Sequence, residues 1–65
     1  MPTIRIELLE GRTSSQKQAF MTAVTAAAVR DLGSAAEHVD VVFIEVATHQ
    51  WATGGRFWHE IKKTT

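Results

Sequence analysis

The residue with the clearest capacity for chemistry is Pro2, which follows Met1 directly and leads into an alternating segment. Initiator methionine is normally removed before a residue as small as proline, and its loss would leave Pro2 as an amino-terminal secondary amine. An unperturbed α-amino group has a pKa of about 7.7–8.0, and an apolar pocket or a nearby cation such as Arg12 would lower it. Such an amine is suited to act as a general base. The alternative is that Met-Pro is simply how this chain starts, and position alone favours that alternative.

Composition excludes several other classes of protein. The sequence has no Cys, and its seven basic and seven acidic residues give a formal net charge of zero. Without Cys there is no disulfide framework and no thiolate metal site, and the three His lie ten or more positions apart, with no carboxylate pattern typical of a metal site. No basic stripe with interleaved aromatic residues supports nucleic-acid binding, and no apolar stretch is long enough to cross a bilayer. No charged-then-apolar leader opens the chain, so we expect a cytoplasmic protein.

The length of 65 residues predicts a single domain, residues 1–65, that depends on self-association. A domain of this size buries only about 60% of the surface that its unfolded chain exposes, so its stability alone is marginal. Small scaffolds compensate with disulfides, a metal or oligomerisation. Since the sequence supports neither of the first two, contacts between subunits are the remaining means of burying apolar surface.

The first half of the chain predicts a strand followed by a helix. Polar and apolar residues alternate over Thr3–Leu9, which is typical of a half-buried strand. Thr13 and Gln16 form a capping box, in which each side chain can bond to the other residue's backbone N–H. Apolar residues then recur at helical spacing as far as Leu32, and Gly33 is suited to end the helix.

The second half predicts another strand and a short, aromatic tail. Residues 39–46 are almost continuously β-branched or aromatic, which indicates a strand buried on both faces. Strand, helix and strand in this order predict a right-handed crossover between two parallel strands. Gly54-Gly55 favours a tight turn or small hairpin, and residues 57–63 are compatible with a short helix. Trp51 and two further aromatic residues indicate surface that packs against a neighbouring subunit.

Several of these features occur together in one known family. They are Met1-Pro2, an alternating strand, the block Leu9-Glu10-Gly11-Arg12, a capped helix with Gln16-Lys17, a second strand ending near Glu45, and an aromatic residue before Gly54-Gly55. In this combination the chain resembles the 4-oxalocrotonate tautomerase family over nearly its whole length. The resemblance implies an α/β fold of β-α-β subunits that assemble into hexamers built as trimers of dimers. It also implies isomerase chemistry on a small enol or 2-oxo acid, in which the amino-terminal proline moves a proton through a dienol intermediate without a metal or organic cofactor.

The resemblance gives three residues specific roles. Pro2 matches the family's proline base, and Arg12 matches the arginine that binds a substrate carboxylate, a task that suits its bidentate guanidinium. Trp51 occupies the position of an aromatic residue that lines the active site and keeps it apolar. Without the resemblance, Arg12 is interpreted as a turn or surface residue and Trp51 as interface packing.

Asp40 is where this sequence departs from the family. It replaces a second arginine that polarises the 2-oxo group of the substrate, so the charge is reversed. Because parallel strands begin at the same end of a sheet, we expect Asp40 to lie near a copy of Pro2, to favour the protonated amine and to raise its pKa. It would also repel a dianion such as 2-hydroxymuconate. The alternatives are a solvated residue at the start of the strand, or an ion pair with Arg5 or Arg56.

Three functional hypotheses remain open. The first is a tautomerase of altered specificity, with Pro2 as base and Arg12 as carboxylate anchor. The second is a decarboxylase or hydratase of the same superfamily, in which a cationic Pro2 polarises a carbonyl and Asp40 orients or activates water. The third is a subunit without catalytic activity in a mixed or structural oligomer.

Overall fold

The computed structural model describes residues 2–63, and it confirms the predicted β-α-β subunit with a small hairpin and a short terminal helix. The helices and strands follow one another in the order β1 (Thr3–Leu9), α1 (Ser14–Leu32), β2 (Asp40–Val46), β3 (Ala52–Thr53), β4 (Arg56–Phe57) and α2 (Trp58–Lys63). Single 3-10 turns over Ala36–His38 and Thr48–Gln50 lead into β2 and β3. Within residues 2–63, no helix combines the length and the apolar character that crossing a bilayer requires.

Helix α1 begins and ends where the sequence predicts. The Thr13 backbone N–H donates to Gln16 Oε1 at 2.9 Å, and the Gln16 N–H donates to Thr13 Oγ1 at 3.1 Å. These two bonds satisfy donors that the first helical turn would otherwise leave without partners. At the other end Gly33 has φ 70°, a left-handed conformation that glycine adopts without a steric penalty and that stops the helix.

The two long strands pair in parallel, as the crossover predicts. Thr3 pairs with Asp40 at one end and Leu9 with Val46 at the other. The Glu10 N–H extends the ladder by donating to the Val46 carbonyl at 3.0 Å. Since paired residues of parallel strands share a face, the register also fixes which side chains of β1 and β2 lie together.

Helix α1 covers one face of this sheet. The rings of Phe20 and Phe43 meet edge to face with centroids 6.4 Å apart, and Lys17 Nζ lies 2.8 Å from Glu45 Oε1. The opposite face of β2 is open, and Val42 on that face is 43% exposed. The prediction that residues 39–46 are buried on both faces is therefore wrong for a single chain, because residues 2–63 form no second layer over them.

Residues 48–63 form a tail whose elements pack mainly on one another. Gly54 (φ 62°) and Gly55 (φ 80°) make the two-residue turn that joins β3 to β4, as two positive φ values in a hairpin require. The Trp58 N–H donates to the Trp51 carbonyl at 2.8 Å and closes the tail on itself. This extended arrangement gives a radius of gyration of 15.1 Å, whereas a compact chain of this length would have about 11 Å.

Little of the apolar surface is buried in a single chain. Among the described residues only Ala28 of the apolar positions is fully buried, and Leu32, on the predicted apolar face of α1, is 69% exposed. The buried and half-buried residues Val24, Ala27 and Ala28 belong to the apolar positions of the helical period, but one subunit does not supply enough protein to cover the others.

Candidate active site

Pro2 and Asp40 lie side by side where the two long strands begin. The Asp40 backbone N–H donates to the Pro2 carbonyl at 3.0 Å, so the expected proximity is found within one chain. Pro2 is half-buried and Asp40 is exposed. In the described part of the chain Asp40 makes no ion pair with Arg5 or Arg56, the partners considered above. Met1, whose loss would free the Pro2 nitrogen, lies outside the described residues.

Arg12 borders a cavity of about 300 Å³ between the first turns of α1 and the carboxyl ends of the strands. Four apolar side chains form its walls and three polar ones its rim: Ile6, Leu8, Phe20 and Phe43, then Arg12, Gln16 and Lys17. The chain reaches Arg12 through Gly11, whose φ of 119° turns it from β1 toward the helix. A small, mostly apolar cavity with a few polar groups on one side is typical of a ligand site.

The charges around this cavity leave Arg12 free to bind an anion. Lys17 is bonded to Glu45 at 2.8 Å, and the Gln16 side chain is engaged in the capping box. Arg12 has no hydrogen-bond or ion-pair partner among residues 2–63. No acidic residue lies in the first turn of α1, so the positive end of the helix dipole adds to the attraction for a carboxylate.

A second, more open cavity lies at the other end of α1, where Asp31 borders apolar residues that include Ile4 and Leu32. Both carboxylate oxygens of Asp31 accept hydrogen bonds from the exposed guanidinium of Arg30, at 2.9 and 3.0 Å. That hydrogen bond raises the pKa of Arg30 above its ordinary value. Of the two cavities, only the one at Arg12 therefore offers a free cation to an anionic ligand.

One chain does not bring the four predicted site residues together. Pro2 precedes β1 and Arg12 follows it, and the strand spans about 20 Å, six steps of about 3.3 Å from Thr3 to Leu9. Trp51 lies in the tail, half-buried, and does not border the Arg12 cavity. Only Pro2 and Asp40 are neighbours, so a site that uses Pro2 and Arg12 together has to be completed by another copy.

Sequence reasoning missed the residues that set the shape and charge of the Arg12 cavity. Lys17 is charged, and no sequence signal marked it as a residue that lies against the sheet, where it pairs with Glu45. The aromatic pair Phe20–Phe43 was likewise not expected as a cavity wall. The crossover could have indicated which elements form this cavity. The helix of a crossover runs antiparallel to the strands, so its first turns lie near the carboxyl end of β2.

The comparisons with known proteins agree with this fold. The sequence model of the family described as "Tautomerase enzyme" matches residues 2–60. A probable tautomerase of Ralstonia nicotianae is 42% identical over 55 residues, which are 85% of this chain and 79% of that protein. Among solved structures, TomN, a 4-oxalocrotonate tautomerase homologue of the tomaymycin biosynthetic pathway, has a TM-score of 0.91 and 40% identity, with 95% of each chain covered.

A heterohexamer 4-oxalocrotonate tautomerase from Chloroflexus aurantiacus has a TM-score of 0.88 and 33% identity, covering 94% of this chain and 98% of that one. The chain therefore belongs to the tautomerase family.

Proposed function

We propose that this protein is a cofactor-independent tautomerase that uses Pro2 as general base and acid on a small enol or 2-oxo acid. Arg12 of another copy holds the substrate carboxylate. The observation that carries the proposal is Arg12 itself, an unpaired cation among the described residues at the edge of an apolar cavity. A carboxylate placed there gains charge-assisted hydrogen bonds, and the apolar walls strengthen them by excluding water.

The reaction is a proton transfer between oxygen and carbon of the bound ligand. The neutral Pro2 amine takes the proton of the enol hydroxyl, and the electron pair of that O–H bond forms the carbonyl. The electron pair of the enol C=C bond then takes the proton from the protonated amine and forms the new C–H bond. No atom is gained or lost, and Pro2 returns to its neutral form. A positioned acid–base group of this kind contributes typically 10²–10⁴-fold to the rate.

Asp40 favours substrates with a single carboxylate. It lies beside Pro2 without a cationic partner among the described residues, so a second carboxylate at the Pro2 end would meet like charge. Its negative charge also stabilises the protonated amine that forms during the transfer. We therefore propose monoanionic enol acids, with an uncharged group away from Arg12, as the substrate class.

The active form that we propose is a homohexamer, a trimer of dimers. The free edge of β1 supports the dimer, because β2 is its only strand partner in the described chain and unpaired edges are ready to pair with another strand. Two β1 strands lying antiparallel would bring Pro2 of one copy to the Arg12 end of the other. The exposed apolar residues of α1 and β2 supply surface for further contacts. Trp51, carried by the projecting tail, would then line a site of another subunit.

The test combines intact mass, native mass and activity. We expect a polypeptide that lacks Met1, a native mass of about 43 kDa for six chains of 7.2 kDa, and ketonisation of phenylenolpyruvate above the buffer rate. Pro2→Ala should lose about 100-fold or more in kcat/KM, while Thr3→Ala, a change of the exposed next residue, should stay within about twofold. A mature chain that retains Met1, or turnover that Pro2→Ala leaves unchanged, would overturn the proposal.

A further inference from the structure

The ion pair between Lys17 and Glu45 determines how many positive charges the Arg12 cavity offers to a ligand. We propose that Glu45 is a specificity-determining residue: by holding Lys17, it leaves one free cation in the cavity and restricts the cavity to one carboxylate. This inference rests on the proposed function of Arg12 as the carboxylate anchor, and it assigns to Glu45 a role that needs no contact with the reacting atoms.

The geometry of the pair supports this role. Lys17 borders the cavity itself, and its Nζ lies 2.8 Å from Glu45 Oε1. The two side chains are 26% and 37% exposed, so water screens the pair less than it would on an open surface. The bridge joins the first turns of α1 to the penultimate residue of β2, and it directs the ammonium toward the sheet.

Removing Glu45 would release a second cation into the same cavity. Lys17 carries three donors on a flexible four-carbon stem, so its ammonium can turn from the sheet toward a ligand beside Arg12. Gln16, the remaining polar side chain on the rim, cannot accept a hydrogen bond from the released ammonium in place of Glu45. Its amide oxygen already accepts from the Thr13 N–H at 2.9 Å. The charge presented by the cavity thus depends on a single ion pair.

The experiment compares two probes that differ in one group. Crotonate and fumarate share the same unsaturated chain, but fumarate has a second carboxylate where crotonate has a methyl group. Their dissociation constants are measured by calorimetry on the assembled protein, so the result does not depend on turnover. For Glu45→Gln we expect fumarate to bind about tenfold more tightly than to the wild type, as one added ionic contact would give, with crotonate unchanged within about twofold.

Two further variants keep the result interpretable. Glu37→Gln removes one negative charge on the turn before β2, at the opposite end of the strand, and should change neither probe. Lys17→Met combined with Glu45→Gln removes the released cation and should restore the wild-type preference, provided that native mass and circular dichroism show the assembled fold. A Glu45→Gln protein that binds fumarate no better, or an enhancement that survives Lys17→Met, would overturn the inference.

Arg12→Ala separates this inference from the proposed function. If Arg12→Ala weakens both probes but Glu45→Gln has no effect on fumarate, only the role of Glu45 fails. If Arg12→Ala weakens neither probe, the carboxylate anchor fails and the proposed function fails with it.

Discussion

Mixing two inactive variants tests whether the active site is built from two chains. Strand β1, about 20 Å long, separates Pro2 from Arg12, too far for one small substrate to reach both within a subunit. A Pro2→Ala chain still supplies Arg12, and an Arg12→Ala chain still supplies Pro2. Assembled together, the two kinds of chain can form intact sites that neither forms alone.

The expected recovery follows from counting sites. With equal amounts and random assembly, a site takes an intact Pro2 about half the time and an intact Arg12 about half the time, so about one quarter of sites regain both residues. Each parent variant alone should retain a far smaller fraction of the wild-type activity. Removing a general base typically lowers the rate 10²–10⁴-fold. Truncating one partner of a buried charge pair weakens binding by about 2–5 kcal/mol, which is at least about 30-fold in affinity.

The assay is phenylenolpyruvate ketonisation after the two variants have been unfolded together, refolded and shown by native mass spectrometry to share oligomers. Activity near one quarter of the wild-type value supports a shared site. A mixture that forms mixed oligomers but stays at the average of its two parents would refute the reasoning, because that result requires Pro2 and Arg12 of the same chain to act together.

Two other substitutions test Asp40 and the start of helix α1. For Asp40→Asn we expect kcat/KM on 2-hydroxymuconate to rise about fivefold relative to phenylenolpyruvate. The reason is that a unit charge at about 7 Å contributes about 1 kcal/mol at an effective dielectric constant between those of the protein surface and water. An equal change for both substrates, or the same change in Glu37→Gln, would contradict this expectation. For Thr13→Ala we expect a loss of about 1 kcal/mol of stability, seen as a melting temperature several degrees lower at fixed protein concentration. We also expect a higher KM, because Arg12 directly precedes this cap. Ser15→Ala, an exposed change in the same turn, should have little effect on the melting temperature or on KM.

The elements of this fold could be predicted from sequence because their signals are local. The alternation of polar and apolar residues predicts β1. The capping box predicts the start of α1 and Gly33 predicts its end, since each depends on hydrogen bonds and φ angles within a few residues. The proximity of Pro2 and Asp40 could also be predicted, because a crossover makes the strands parallel and parallel strands begin together.

Burial and the Arg12 cavity could not be predicted, because they depend on contacts between distant elements. The apolar run of β2 indicates two covered faces, but only assembly can supply the second cover, so Val42 is exposed in a single chain. The pairing of Lys17 with Glu45 depends on how α1 lies across the sheet, and a helical period does not fix that rotation when apolar residues occur around much of the helix. The spacing of apolar residues therefore does not predict that Lys17 lies against the sheet.

In the proposed site between copies, the two ends of β2 are expected to influence the same ligand. Asp40 lies beside Pro2 at the start of β2. Glu45, near the other end of the strand, holds Lys17, which borders the Arg12 cavity. If one copy contributes Pro2 and another contributes Arg12, Asp40 of the first acts on one end of the substrate and Glu45 of the second on the other. Asp40 opposes a carboxylate at the Pro2 end, and Glu45 withholds the cation that would bind a second carboxylate beside Arg12. Both effects favour a single negative charge, so a variant that accepts a diacid well should require changes at both ends of β2.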